Sequence, residues 1–172
     1  MLEENMDLKT LKRGARVVYP AHGVGIVEKI GKIKTGEKLS LVPFYTIRIS
    51  ESGMTIRVPA SRALRIGIRA VIKDRDVRKV LRLLKTKNKV ANGMNWHKRQ
   101  KSYIDRIKSG SVYELAEILR DLTIIQAKKE LSFGEQRMYD NVRGLLVMEI
   151  AEAKGIEKLA ASRLLDKAFT AA

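Results

Sequence analysis

The sequence predicts an α+β fold, a small antiparallel β domain followed by an all-α helical bundle, and three observations carry that reading. Apolar residues recur with a period near two as far as Pro59 and with helical spacing after Gly67. Turn signals at Thr35-Gly36-Glu37 and Glu51-Ser52-Gly53 cut the first part into short runs. Two Ser-x-x-Glu boxes open helical runs in the second part. The chain has 172 residues, room for two small domains, and the expected division is 1–66 and 67–172.

Val17-Val18-Tyr19 is a β-prone run stopped by Pro20. A second run, Val24 to Ile30, is entered through the glycines of His22-Gly23-Val24-Gly25, and a third, Leu41 to Ile49, holds Phe44, Tyr45, Ile47 and Ile49. In the fourth, Met54, Ile56 and Val58 share one face while Thr55 and Arg57 share the other, the pattern of a half-buried strand. Short, sequentially adjacent antiparallel strands of this kind form a small curled sheet or barrel.

After Gly67, Ile68, Val71 and Ile72 lead into Val80, Leu81 and Leu84 at helical spacing, and a polar, basic loop follows over 85–93. A helix is predicted from Trp96 to Lys108, with Gly110 as its C-terminal cap. The box Ser111-Val112-Tyr113-Glu114 opens a helix that buries Val112, Leu115, Leu119 and Leu122. The box Ser132-Phe133-Gly134-Glu135 opens another, with Met138, Val142, Leu145 and Leu146 on one face, running to Gly155. A last helix carries Ile156, Leu159, Ala160, Leu164 and Ala168. Four or five helices joined by short loops make a compact bundle.

The absence of cysteine excludes disulfides and thiolate metal sites and fits a reducing cytosol, so a cytoplasmic location is expected. The first residues are acidic where a signal peptide is basic, and no apolar run approaches the ~18 residues of a membrane span. The two histidines, His22 and His97, lie far apart, and no HExxH motif or phosphate loop ending in Gly-Lys-Ser/Thr is present. The segment His22-Gly23-Val24-Gly25 falls short of GxGxxG and precedes a strand, so it reads as a tight turn whose glycines take positive φ. No catalytic residue, cofactor or metal is expected.

Net charge is +16, and its distribution is uneven. Residues 62–108 hold 16 Lys and Arg against 3 Asp and Glu, whereas 109–172 hold 9 against 10. A localised positive field is the electrostatic footprint of a polyanion, so nucleic acid is the expected partner class. Within that stretch stands Asn95-Trp96-His97-Lys98-Arg99-Gln100-Lys101. Trp96 is the chain's single tryptophan and starts a helix, with Lys98, Arg99 and Lys101 following within about one and a half turns. Such an indole can wedge against a base step while the cations neutralise phosphates. It can equally pin the helix start as a core anchor, and these residues alone leave both readings open. Arg69, Arg75, Arg78 and Arg82 read as the wet side of their helix. Arg57 projects from a strand beside Arg48 on the neighbouring run, a placement that suits either pairing with another protein's sheet or preventing it.

The order of these features resembles the CarD/CdnL family of bacterial transcription regulators. The resemblance rests on Val17-Val18-Tyr19-Pro20-Ala21-His22-Gly23-Val24-Gly25, on Thr55-Ile56-Arg57-Val58-Pro59, on Asn95-Trp96 with Lys98, Arg99 and Lys101, and on Leu131-Ser132-x-Gly134-Glu135. It covers nearly the whole chain and implies the short CdnL-like form, without a long charged tail. It implies a Tudor-like N-terminal barrel that binds the RNA polymerase β subunit, and a helical domain that contacts promoter DNA at the upstream edge of the transcription bubble and stabilises the open complex. By the same resemblance, Trp96 matches the family's wedge, Lys98, Arg99 and Lys101 its DNA contacts, and Arg57 its polymerase contact, with Arg48 beside it. A second basic polymerase contact falls on Ile33, which Lys32 and Lys34 flank. A monomer is expected, since both domains have other partners.

Overall fold

Residues 11–35, 40–86 and 95–170 are described by a computed structural model, and the chain divides into two compact units, Met1–Val71 and Ile72–Ala172. The expected turn at Thr35-Gly36-Glu37, and the basic loop from 87 onward, lie outside the described residues.

The first unit is an antiparallel sheet of β1 (Arg16–Tyr19), β2 (Gly23–Thr35), β3 (Ser40–Ile49), β4 (Thr55–Pro59) and β5 (Arg69–Ala70), in the order β4-β3-β2-β1-β5. Helix α1 (Ala60–Ile66) carries the chain from one edge strand to the other. In a flat sheet those edges stand about 19 Å apart, four strand spacings. Seven helical residues reach about 10 Å and the three steps from Ile66 to Arg69 at most about 11 Å, so the connection would be nearly taut across a flat sheet. A sheet that curls, as a Tudor-like barrel does, brings its two edges within easy reach of it. Its core is Val17, Val27, Tyr45, Ile47, Ile49 and Val58 from the strands, closed by Leu11, Ala63 and Ile68.

Two positions of the glycine segment differ in their reason. Gly23 takes φ 86°, as the turn requires, and Ala21 joins it in the left-handed region at φ 62°. Gly25 has no positive φ; it sits in β2, where a β-carbon would come within 2.9 Å of the Arg48 carbonyl oxygen and of Ile47. Close strand approach, not turn geometry, selects glycine there.

The stretch after Gly67 is not the start of a helix. Gly67 caps α1 in the left-handed conformation, Ile68 enters the β core, and Arg69–Ala70 pairs with β1. Val71 closes the first unit, and α2 (Asp74–Leu84) begins only after Ile72. The alternating apolar residues thus belong to two structures, and the division falls at 71/72 where 66/67 is expected from the sequence.

The second unit contains α2, α3 (Trp96–Ser109), α4 (Val112–Gln126), α5 (Phe133–Lys154) and α6 (Lys158–Thr170). Helix α4 is apolar on most sides and lies at the centre, with Val112, Leu115, Ala116, Ile118, Leu119 and Leu122 buried. It packs against α5, α2 and α3, and α6 packs on α5 and α2. Gly110 and Gly155 cap α3 and α5 in the left-handed conformation. Ser111 caps α4, but only half of the expected box forms, because the Glu114 carboxylate goes to Arg106 instead. Helix α6 buries Ala161, Leu165 and Ala168, whereas Leu159 is 63% exposed and Ala160 is exposed. Of the expected face, Ala168 is buried and Leu164 half-buried, while Ala161 and Leu165 complete the buried side, so the face is shifted by about one residue in the first turns. Leu165→Ala is therefore expected to cost about 2–5 kcal/mol in chemical denaturation followed by helical circular dichroism, and Leu159→Ala less than about 0.5 kcal/mol. Equal costs would contradict this packing.

Candidate nucleic-acid interface

Helix α3 begins where Asn95, in extended backbone, accepts a hydrogen bond from the Lys98 amide at 3.0 Å. The next residue, Trp96, is neither sealed in the bundle nor free of it. Its half-buried indole packs on the helical core with one side against α5. A β-carbon built on Gly134 would stand 3.1, 3.2 and 3.3 Å from indole Cζ2, Nε1 and Cε2. The Arg99 guanidinium lies 5.6 Å from the ring centroid, within cation–π range.

Arg99 also donates from Nη2 to Glu135 Oε1. Its side chain is 14% exposed and that of Glu135 2%. The other carboxylate oxygen, Oε2, accepts from the Ser132 amide at 3.0 Å and the Ser132 hydroxyl at 2.8 Å, completing the α5 capping box, and Lys129 Nζ is 3.7 Å away. Burial pushes the Glu135 carboxyl up, but the Ser132 hydrogen bonds and the Lys129 and Arg99 charges outweigh it and hold the group below its ordinary value.

Lys98 and Lys101 are exposed and have no ion-pair partner among the described residues. They line an open groove along α3 with Ser102, Asp105, Arg106, Ser109 and Glu114. At the far end of that groove Arg106 is held by Glu114 and, at 2.5 Å, by Glu117, so within the groove the unpaired cations are Lys98 and Lys101. On α2, Asp76 takes up Lys79 at 3.0 Å and Arg75 at 3.9 Å. Phe133, which opens α5 beside Gly134, is 80% exposed, with the Arg137 guanidinium 5.8 Å from its ring centroid. Neither Gly134 as a floor for the indole nor Phe133 as an exposed ring was foreseen from the sequence. The only signal available was a glycine and an aromatic in the first turn of a helix.

In the β unit, Arg57 is exposed on the edge strand β4, opposite Thr46. Arg48 lies on the same outer face, paired with Glu28 at 2.5 Å. Lys32 and Lys34 are exposed but stand on the opposite face. A one-residue bulge at Glu28 shifts the register between Val27 and Lys29, so Lys29 opposes Thr46 while Lys32 and Lys34 oppose Pro43 and Leu41. The Ile33 backbone pairs with Val42. Arg57 and Arg48 thus form one patch, and the two lysines belong to another.

Among the described residues, no group of three or more His, Cys, Asp or Glu is placed to hold a metal, and no helix is long and apolar enough to cross a membrane.

Comparison with known proteins falls on the same two units. Residues 11–72 match the family model described as "CarD-like/TRCF RID domain", and residues 79–166 match "CarD, C-terminal domain". A Bacillus subtilis (strain 168) protein named "Putative transcription factor YdeB" is 34% identical over 143 residues, which is 83% of this chain and 92% of that protein.

The depressed Glu135 carboxyl sets a pH window. Its stabilising contribution is fully present above the unfolded value of about 4.3 and is lost as pH falls through the lower folded value. Trp96 emission is therefore expected to stay constant from neutral pH to about pH 4.3 and to change below it. A change centred near pH 6, measured by fluorescence titration, would show that Glu135 does not hold this site.

Proposed function

Because the chain belongs to the CarD family, both of whose domains are matched in order along it, we propose that it regulates bacterial transcription by binding the RNA polymerase β subunit through its β unit and promoter DNA through its helical unit. It stabilises the open complex at the upstream edge of the bubble and acts in the cytoplasm as a monomer.

The observation that carries this reading is the half-buried Trp96 beside the exposed Lys98 and Lys101. An indole anchored on one side and accessible on the other has a partner only when a base step is distorted or open, so it favours the melted state by differential binding. Unstacking a step costs about a few kcal/mol, which the polymerase has already supplied in melting the duplex. Lys98 and Lys101 neutralise phosphates alongside, and Phe133 with Arg137 extends the aromatic and cationic surface from α5. Docking on polymerase raises the effective concentration of this surface at the promoter, so tight binding of free DNA is not required. Docking is supported by Arg57 on an edge strand, with Arg48 on the same face.

Trp96→Ala is expected to shorten open-complex lifetime about tenfold, the scale of one lost base-stacking contact, with polymerase binding unchanged. Arg57→Glu is expected to abolish recruitment in a pull-down with the β lobe of the polymerase while the fold, read by circular dichroism, is kept. Both variants stimulating transcription like the parent would sink the proposal. Tight, salt-steep binding of free duplex without polymerase would favour a stand-alone DNA-binding protein instead.

A further inference from the structure

We infer that Gly134, Glu135 and Arg99 form a seat that fixes the orientation of the Trp96 indole, so that Arg99 acts on DNA through Trp96 and not as a phosphate contact of its own. The inference rests on the proposed role of Trp96 in the open complex, but the seat exists in the free protein and is tested there as well.

Gly134 is the floor. Ordinary β-carbon contacts lie at 3.4–4 Å, and the three indole atoms would stand at 3.1–3.3 Å from a β-carbon at this position. A β-carbon here would be tighter against the ring than most such contacts and would push it back by a few tenths of an ångström. Gly144 on the same helix shows the contrast, since a β-carbon there meets nothing within 4 Å.

Arg99 and Glu135 are the clamp. Arg99 stands three residues after Trp96, on the same side of α3, with its guanidinium within cation–π range of the ring and its Nη2 on Glu135. Turning it outward to a phosphate would leave a nearly inaccessible carboxylate without its closest cation, an unfavourable exchange. Glu135 cannot follow, because its second oxygen is held by the Ser132 amide and hydroxyl. The ring is therefore tied to the cap of α5. Lys98 and Lys101, exposed and without ion-pair partners among the described residues, remain the phosphate contacts.

Trp96 is the single tryptophan, so emission and acrylamide quenching of the full chain read the seat directly. Glu135→Gln keeps a side chain that serves in a capping box but removes the charge that holds Arg99. It is expected to shift the emission to the red and increase quenching, with helical circular dichroism unchanged. Open-complex lifetime should fall about fivefold, the scale of a lost charge-assisted contact. Gly134→Ala should move the emission in the same direction by less, and Gly134→Val by more. In a Trp96→Ala background, Glu135→Gln should shorten the lifetime no further. Unchanged emission and quenching in both Glu135→Gln and Gly134→Val would overturn the seat. An equal fivefold loss in the Trp96→Ala background would overturn the positioning role of Arg99. If Trp96→Ala alone leaves the lifetime unaltered, the promoter reading fails, and the fluorescence still decides the seat.

Discussion

A carboxylate removed from water must recover its lost hydration from the donors around it, and Glu135 recovers it from three directions. Ser132 supplies an amide and a hydroxyl from its own helix cap, Arg99 supplies a guanidinium from α3, and Lys129 approaches from the preceding turn. The consequence is architectural. Helix α3 packs on α4, but its first turn, where the indole is carried, is fixed by α5. A helix start that would otherwise fray is thereby held at one orientation, and the surface it offers is preorganised.

The basic central stretch looks uniform as a string of letters, yet the fold sorts its cations into distinct uses. Arg75 and Lys79 answer Asp76 on their own helix; Arg106 bridges α3 to α4 through Glu114 and Glu117; Arg99 serves the indole. Lys98 and Lys101, like Arg78, Arg82 and Lys108, are exposed with no ion-pair partner among the described residues. Charge concentration marks the stretch as a whole but does not say which cations are engaged. Asp76 could be read from its neighbours, whereas Glu135 and Glu117 reach their arginines from other helices.

Much of the fold was legible because it is written in short-range chemistry. Ser111 and Ser132 mark helix starts, Gly110 and Gly155 mark helix ends, and Tyr45, Ile47 and Ile49 mark a strand face. What escaped depends on contacts distant in the chain. Ile68 and Val71 mimic a helical face, but pairing of Arg69–Ala70 with β1 overrides the local period. Glu114 satisfies the capping-box spacing, yet the nearer offer of Arg106 wins its carboxylate. At the candidate interface, Trp96, Lys98 and Lys101 were legible by type and spacing, and Arg99 was named, but its partner lies 36 residues away across the bundle.

The extra residue at Glu28 is a joint in the β2–β3 hairpin. Val27 faces inward opposite Ile47, and the next paired residue, Lys29, already stands on the outer side opposite Thr46. Deleting Glu28 would straighten the strand and leave those pairs as they are, with Lys32 still meeting Pro43 and Lys34 still meeting Leu41. One residue lost or gained beyond that joint, with no bulge to absorb it, would instead exchange the sides on which the two lysines stand. The arm therefore has one place where an odd change of length is silent, and further out it can grow or shrink only in pairs.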